Sequence, residues 1–155
     1  MAPEKADGPP KGAPLPLVLL GLGRIVEREL GARLDSLGLT MRSFGILGHL
    51  SGVDSLSYSD LARRADITVQ SMHTAVKKMI ADDLVRGTGS AGRSAHLSIT
   101  DGGRERLHKA RRVMGAYETE LLAGGDGENA RSALNALMAT AWRVSAPGDS
   151  LPPSL

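Results

Sequence analysis

Polar side chains recur at helical spacing within residues 68–82. Gln70, His73, Thr74 and Lys77 are three or four residues apart, so a helix would place them on one side. A Gln amide can bond an adenine edge through two atoms, and a Lys ammonium can pair with a phosphate. This side of the helix is therefore suited to contact with DNA. An ordinary solvated helix face would show the same residues, and for His73 the two interpretations are equally open.

The surrounding residues predict the elements that would hold this face in place. Thr68 is a suitable N-cap, and the side opposite the polar face is apolar. The apolar residues are Met72, Ala75, Val76 and Met79. Ser57 can cap a shorter preceding helix, and Asp66 and Ile67 would form the turn between the two helices.

Two short apolar stretches follow the polar helix and predict a β-hairpin. They cover Leu84–Arg86 and His96–Ile99, and Gly87, Gly89 and Gly92 give freedom to the connection between them. A short helix, a turn, a second helix and a hairpin form a winged helix-turn-helix, which places its second helix in the major groove of DNA. We therefore predict a mainly α fold with a small β-hairpin wing.

Longer apolar periodicities flank this region. They predict helices over Leu17–Leu37, from Thr100 or Asp101 to Leu122, and over Glu128–Val144. Such helices need an apolar partner, which a second copy of the chain would supply in a homodimer. The predicted organisation is a disordered tail over residues 1–16, a domain over 17–145 and a disordered tail over 146–155. Within the domain, residues 39–100 form the DNA-binding lobe, and residues 17–37 and 101–145 form dimerisation helices.

Composition narrows the class of protein. The 155 residues suit one domain, and the 3% of aromatic residues favours helix packing over a β-sandwich. There is no Cys, which excludes disulfides and thiolate metal sites. No apolar run approaches the roughly 20 residues that span a bilayer, and the first residues lack the apolar core of a signal peptide. We therefore expect a cytoplasmic protein without membrane contact.

Residues that usually mark catalysis or metal binding are scattered. The four His residues have no metal-ligand spacing. No Ser-His-Asp order, Walker loop or dinucleotide-binding glycine motif is present. We expect no metal site, no cofactor and no enzymatic activity.

The net charge of +2 conceals a basic segment. Residues 85–112 carry two acidic side chains, Asp101 and Glu105. The basic side chains of the same segment are Arg86, Arg93, Arg104, Arg106, Lys109, Arg111 and Arg112. This concentration of positive charge favours a polyanion partner, although a solvated charged face would show the same composition.

A set of ordered motifs resembles the MarR family of bacterial transcription regulators. The motifs are GLT at 38–40, the spaced residues Ile46, Leu47 and Leu50, DLARRADIT at 60–68, ADDLVR at 81–86 and LSITDGG at 97–103. No single motif is decisive, but the ordered set at family-like spacing is fairly specific. The resemblance covers Leu17–Val144.

The resemblance implies a homodimer of winged-helix subunits that binds double-stranded DNA at a pseudo-palindrome. Such a protein is usually a repressor, released when a small phenolic or lipophilic effector enters a cleft between the dimer helices and the lobe. The positions that match DNA contacts are Val69, Gln70, Ser71, His73, Thr74 and Lys77 on the helix and Arg93 on the wing. Arg63 and Arg86 are further candidates for phosphate contact. The candidates for the effector cleft are Arg24, Phe44, His49, Met114 and Tyr117.

The hairpin departs from the family pattern. Ala91 and Gly92 stand where the family has Asp and a first Arg, and the wing is shorter than the common form. Asp83 stands where the family often has Gly. These departures leave the wing's contact with the minor groove open. They support one alternative, a winged-helix protein-interaction module without specific DNA binding. A third interpretation, a small enzyme, is not supported by any set of catalytic residues in the sequence.

Overall fold

The computed structural model describes residues 12–88, 96–123 and 126–145. Its elements are α1 (Leu15–Asp35), α2 (Met41–Ser51), β1 (Leu56–Ser57), α3 (Tyr58–Arg64), α4 (Val69–Ala81), β2 (Val85–Thr88), β3 (His96–Ile99), α5 (Asp101–Leu122) and α6 (Gly127–Ser145). The predicted mainly helical fold with a small antiparallel sheet is confirmed. None of these described helices is long and apolar enough to cross a membrane.

The N-terminal boundary differs slightly from the prediction. Helix α1 begins at Leu15, inside the tail predicted over residues 1–16, with Pro14 as its N-cap and Pro16 in its first turn. Proline suits the start of a helix because the first-turn N–H groups lack intrahelical acceptors. Residues 1–11 and 146–155 of the predicted tails lie outside the described residues.

The helices of the lobe begin at side-chain N-caps, as predicted for Ser57 and Thr68. The Thr40 side chain accepts a hydrogen bond from the Ser43 N–H at 3.1 Å, and the Ser43 hydroxyl accepts one from the Thr40 N–H at 2.8 Å. Ser57, Thr68 and Thr100 also accept a bond from the N–H three residues further on. These bonds satisfy donors of the first helical turn, so the sequence fixes where each helix starts.

Two aspartates take a left-handed backbone conformation around the helix-turn-helix. Asp66, in the turn between α3 and α4, has a φ of 51°, and Asp83, just after α4, has a φ of 53°. Aspartate reaches this region more readily than most residues with a side chain. The predicted turn at Asp66 is therefore confirmed, and Asp83 fills a position that glycine commonly occupies.

The sheet contains a third strand that the sequence pattern did not predict. Strands β2 and β3 form the expected hairpin, with Val85 opposite Ile99. Strand β1 pairs with the other edge of β3, with Leu56 opposite Leu97, so the strand order is β1-β3-β2. Because β1 leads directly into α3, the sheet fixes the start of the helix-turn-helix relative to the hairpin.

The core joins α2, α3, α4 and the sheet. Its largest fully buried side chains are Leu34, Leu39, Ile46, Leu47, Leu50, Leu61, Met72, Val76, Val85 and Leu97. No polar side chain of the described residues is buried. In contrast, α1 buries only Leu34, and α6 buries none of its described side chains. The lobe therefore carries most of the apolar packing within one chain, and α5 adds Leu107 and Ala110 to its core.

The first turn of α5 is fixed to the end of α4. A Cβ atom added to Gly103 would lie 2.1 Å from the carbonyl oxygen of Leu84, so only glycine fits at this contact. The Thr100 hydroxyl donates a hydrogen bond to the carbonyl oxygen of Asp83 at 2.6 Å. The first turn of α5 is therefore in direct contact with the segment that ends α4.

Candidate nucleic-acid interface

Helix α4 presents the predicted polar face to solvent. Met72, Val76 and Met79 are buried on its inner side. The exposed side chains of this face are Val69, Gln70, His73, Thr74 and Lys77. Val69 is 41% exposed at the first turn, where an apolar side chain can contact a thymine methyl group. The orientation of α4 therefore matches that of a recognition helix.

Gln70 and Lys77 carry the available donors of this face. In the part of the chain that the structure describes, neither side chain makes a hydrogen bond or an ion pair. The Thr74 hydroxyl donates to the carbonyl oxygen of Gln70 at 3.1 Å, and the Ser71 Oγ atom lies 2.9 Å from the Oγ1 atom of Thr68. Gln70 and Lys77 can therefore bond a ligand without breaking a contact inside the protein.

His73 is held differently from its neighbours. Its imidazole ring stacks on the phenol ring of Tyr58, with ring centroids 3.9 Å apart and the planes inclined by 17°. Tyr58 is half-buried, and this burial raises the pKa of its hydroxyl. This contact could not be predicted from the sequence, because only the fold brings the start of α3 against the middle of α4.

The candidate arginines beside α4 lie in different surroundings. Arg63 pairs with Asp60, with Nη2 2.6 Å from Oδ1. A hydrogen bond from Ser57, and then the hydrogen bond and charge of Arg63, lower the pKa of the Asp60 carboxyl below its usual 3.8. Arg86 is exposed on β2, and its Nε donates to the Ser98 hydroxyl at 3.2 Å. Both arginines are exposed cations, and their contacts with Asp60 and Ser98 lie at the protein surface.

The tip of the hairpin lies outside the described residues. Strand β2 ends at Thr88 and β3 begins at His96. The expectations for Ala91, Gly92 and Arg93 fall between them and stay predictions.

A cleft of about 360 Å³ separates α4 from the start of α2. Ser71 and Thr74, two of the predicted DNA contacts, line it together with Arg42 and Lys78. Lys78 also pairs with Asp82, with Nζ 2.9 Å from Oδ2. The cleft extends the polar face of α4 toward α2 and adds positive charge. Arg42 could not be found from the sequence, because α2 approaches α4 only in the folded chain.

Part of the basic segment is engaged within the protein. The Arg106 guanidinium donates a hydrogen bond to the carbonyl oxygen of Leu37. The Arg111 guanidinium donates one to the Ser51 hydroxyl at 3.3 Å. These contacts tie α5 to the segment after α1 and to the end of α2. Positive charge on α5 therefore supports the position of the helix, a role that the charge count alone did not distinguish from polyanion binding.

Two of the five predicted effector contacts meet in one cleft. Met114 and Tyr117 line an open cleft of about 420 Å³ between α1 and α5. Arg111 also lines it, as do the apolar residues Val26, Leu30 and Leu121. Tyr117 is only 7% exposed, and the guanidinium carbon of Arg33 lies 4.2 Å from its ring centroid. The Tyr117 ring therefore forms a wall of the cleft and is already packed.

The other three predicted effector contacts lie elsewhere. Arg24 is exposed on α1, Phe44 packs against the core, and His49 is half-buried near the end of α2. None of the three lines the cleft between α1 and α5. Burial, and then the charge of Arg64, lower the pKa of His49 below its usual 6.5, which favours a neutral imidazole. The structure does not bring the five residues into one site.

The described architecture defines a winged helix-turn-helix protein: a helix with an exposed polar face follows a tight turn and is supported by a small antiparallel sheet. The MarR family model matches residues 37–94. The HTH-type transcriptional repressor Rv2887 of Mycobacterium tuberculosis (strain H37Rv) is 35% identical over 113 residues, which are 72% of this chain and 81% of the relative. The chain belongs to the MarR family, as its motifs predicted. Its relatives are transcriptional regulators, which confirms that the chain is not an enzyme.

Solved structures of related proteins share this architecture. The complex of Rv2887 with DNA matches with a TM-score of 0.68 at 30% identity, covering 81% of this chain and 98% of that one. The complex of Rv2887 with p-aminosalicylic acid matches with a TM-score of 0.64 at 32% identity, covering 83% and 99%. MepR, a transcription regulator of a Staphylococcus aureus multidrug efflux pump, has a TM-score of 0.72 at 14% identity and shares the fold, with coverages of 82% and 98%.

Proposed function

We propose that the chain is a transcriptional repressor that binds double-stranded DNA by placing α4 in the major groove. The observation that carries this proposal is that α4 exposes a polar face and buries the opposite, apolar face in the core. The DNA complex of the relative Rv2887 supports it. The proposed contacts are Val69, Gln70, Ser71, His73, Thr74 and Lys77 on α4, with Arg63, Arg86 and Arg93 beside it.

We propose that α1 and α6 form a homodimer. Their exposed apolar side chains are Leu15, Leu17, Leu20, Leu22, Ile25, Leu134, Met138 and Val144. Many large apolar side chains exposed on two helices favour an interaction site, and a two-fold axis lets the same surface cover itself. Such a dimer would present two copies of α4, which suits half-sites about 34 Å apart.

We propose the cleft between α1 and α5 as the effector site. Val26, Leu30 and Met114 offer apolar contact to a ring, and Arg111 offers a cation to a carboxylate. Rv2887 has been solved in complex with p-aminosalicylic acid, which is a phenolic carboxylic acid. A small aromatic acid would release DNA if it favours a dimer whose two α4 helices no longer match the half-sites.

Selection from a random duplex pool, followed by mobility-shift titration, tests DNA binding. We expect a pseudo-palindromic duplex to be selected and its affinity to fall steeply with salt, because bound cations displace counterions from phosphates. Heparin should displace the DNA. If no duplex is bound even at low salt, the proposal is wrong and the protein-interaction module is favoured.

Two substitutions on α4 separate phosphate contact from base readout. Lys77→Ala should weaken binding to all duplexes about equally and reduce the salt slope by about one. Gln70→Ala should instead relax discrimination at one base pair, by about 1–3 kcal/mol. Arg143→Ala on α6 is the control, since it removes one cation outside the proposed DNA contacts and should leave affinity unchanged while the dimer stays intact. If both α4 substitutions resemble this control, α4 is not the recognition helix.

Thermal-shift titration with p-aminosalicylic acid tests the effector site. We expect the wild-type melting temperature to rise with ligand concentration and the DNA complex to dissociate. Arg111→Gln should remove both effects. Ser51→Ala is the matched control, because it deletes the same internal hydrogen bond and keeps the cation. Equal responses of Arg111→Gln and wild type would exclude Arg111 as the carboxylate partner.

A further inference from the structure

The stacked pair of Tyr58 and His73 joins two elements of the helix-turn-helix on its exposed side. Tyr58 is the first residue of α3, and His73 lies in the middle of the exposed face of α4. We propose that Tyr58 is a positioning residue of the DNA interface, which holds the imidazole of His73 in one orientation so that His73 reads one base pair. This inference rests on the proposed placement of α4 in the major groove.

Tyr58 is held in place by the residue before it and by the core. The preceding residue, Ser57, pairs with His96 in the sheet and caps α3 by accepting a hydrogen bond from the Asp60 N–H at 3.1 Å. The ring of Tyr58 is half-buried and packs against the core. A ring held by the sheet, the helix cap and the core is a firm platform for a neighbouring aromatic side chain.

His73 uses this platform from a position suited to readout. It lies three residues after Gln70 and four before Lys77, so the three side chains share one face of α4. The centroid separation of 3.9 Å and the inclination of 17° place the two rings face to face. Stacking occupies one face of the imidazole. Both ring nitrogens lie on the ring edge, where they can donate to or accept from the edge of a base.

Preorganisation gives the stack its functional consequence. An exposed side chain on a helix must lose rotamer freedom when it binds, and this loss reduces affinity. The imidazole of His73 is already ordered by Tyr58, so less freedom is lost in the complex. Orientation also matters for specificity, because a base-edge hydrogen bond forms only with good geometry. Removal of the Tyr58 ring should therefore reduce discrimination at the base pair that His73 reads.

The test uses four variants of the full chain and the duplex selected by the wild-type protein. These variants are His73→Ala, Tyr58→Phe, Tyr58→Leu and the double variant Tyr58→Leu/His73→Ala. Each is titrated against the selected duplex and against duplexes with single base-pair changes. We expect wild type and Tyr58→Phe to discriminate about 5- to 150-fold at one base pair, as a single mismatch usually does. His73→Ala, Tyr58→Leu and the double variant should lose this discrimination to the same extent.

A spectroscopic measurement on the free protein tests the stack itself. The ring protons of His73 should show an upfield ring-current shift in the nuclear magnetic resonance spectrum. Tyr58→Phe should retain the shift and Tyr58→Leu should remove it. A His73 spectrum that is unchanged in Tyr58→Leu would contradict the stack.

The outcomes separate this inference from the proposed function. If wild type selects no duplex, the proposed function fails. If wild type selects a duplex but Tyr58→Leu weakens all duplexes equally, Tyr58 supports only the fold and the inference is overturned. The same conclusion follows if His73→Ala leaves discrimination intact at every base pair.

Discussion

The lobe of residues 39–100 and the terminal helices α1 and α6 bury their apolar residues in different ways. In the lobe, α2, α3, α4 and the sheet cover one another's apolar sides within a single chain. The terminal helices instead leave large apolar side chains such as Leu17 and Met138 more than half exposed, at 61% and 65%. The difference indicates that one chain completes the fold of the lobe, and it supports the proposed homodimer through the terminal helices.

The contacts of the terminal helices with α5 fit the same contrast. Arg33 on α1 pairs with Glu120, and Arg131 on α6 pairs with Glu118, each at 2.6 Å. All four side chains are at least partly exposed, and such ion pairs contribute about 0–1 kcal/mol each. Surface ion pairs alone do not hold two long helices in place. Apolar association with a partner would supply the missing stabilisation.

The largest effect is expected where the lobe meets α5. Gly103→Ala would place a Cβ 2.1 Å from the Leu84 carbonyl oxygen and 2.9 Å from the Ile99 side chain. Because the first of these neighbours is backbone, relief requires a shift of the chain, and we expect a loss of about 3 kcal/mol or more in the free energy of unfolding. Urea denaturation measures this loss.

Gly115→Ala is the control for the same helix. An added Cβ at Gly115 meets nothing within 4 Å, so the change should raise helix propensity and stabilise by up to about 1 kcal/mol. Equal effects of the two substitutions on the free energy of unfolding would show that the contact between Gly103 and Leu84 does not restrict the residue at position 103.

The second-largest effect is expected on self-association, and it compares an exposed apolar side chain of α6 with one of the lobe. Leu134 on α6 and Ile80 on α4 are both 42% exposed, so they differ in location rather than in accessibility. Leu134→Glu should weaken self-association more than about tenfold, because it would bury a charge in the dimer. Ile80→Glu should leave association unchanged. Sedimentation equilibrium decides, and a monomer–dimer equilibrium insensitive to Leu134→Glu would place the interface elsewhere.

The smallest effect concerns the pH dependence of the lobe. Burial, and then the Arg64 charge, lower the pKa of His49 below 6.5 in the folded protein. The unfolded chain therefore takes up this proton first, and stability is lost as the pH falls from about 6.5 through the lowered pKa. Neither α1 nor α6 contains a His, so this loss is specific to the rest of the chain.

Urea denaturation of wild type and His49→Gln at about pH 7.5 and 5.5 isolates the effect of His49. The difference between the two pH values should be smaller in the variant, while other titrating groups contribute equally to both proteins. A difference of the same size in both would show that His49 titrates alike in the folded and unfolded states.

Local signals made much of the lobe predictable. Thr40, Ser57, Thr68 and Thr100 cap helices through bonds that span only three residues, so the sequence contains both partners of each bond. The face of α4 followed in the same way from its own periodicity. Strand β1 was missed because its two residues become a strand only by pairing with β3, about 40 residues later.

The candidate effector site was only partly predictable. Met114 and Tyr117 lie three residues apart on α5 and line the same cleft, so their proximity could be predicted from the helical periodicity. Phe44 and His49 on α2 would line the cleft only if α2 met α1 and α5 there, and this depends on how the three helices pack. The position of Arg33 over Tyr117 also arises from tertiary packing, since α1 and α5 are far apart in sequence.

The close approach of Gly103 to Leu84 fixes the base of α5 next to the end of α4. The helix has 22 residues, so it is about 33 Å long, and a tilt of about 5° at its base would displace its far end by about 3 Å. At the contact with Leu84 there is no room for a side chain that could deform and absorb the motion. A small displacement of the far end of α5 would therefore pass directly to the end of α4, because Gly103 has no side chain that could deform at the contact.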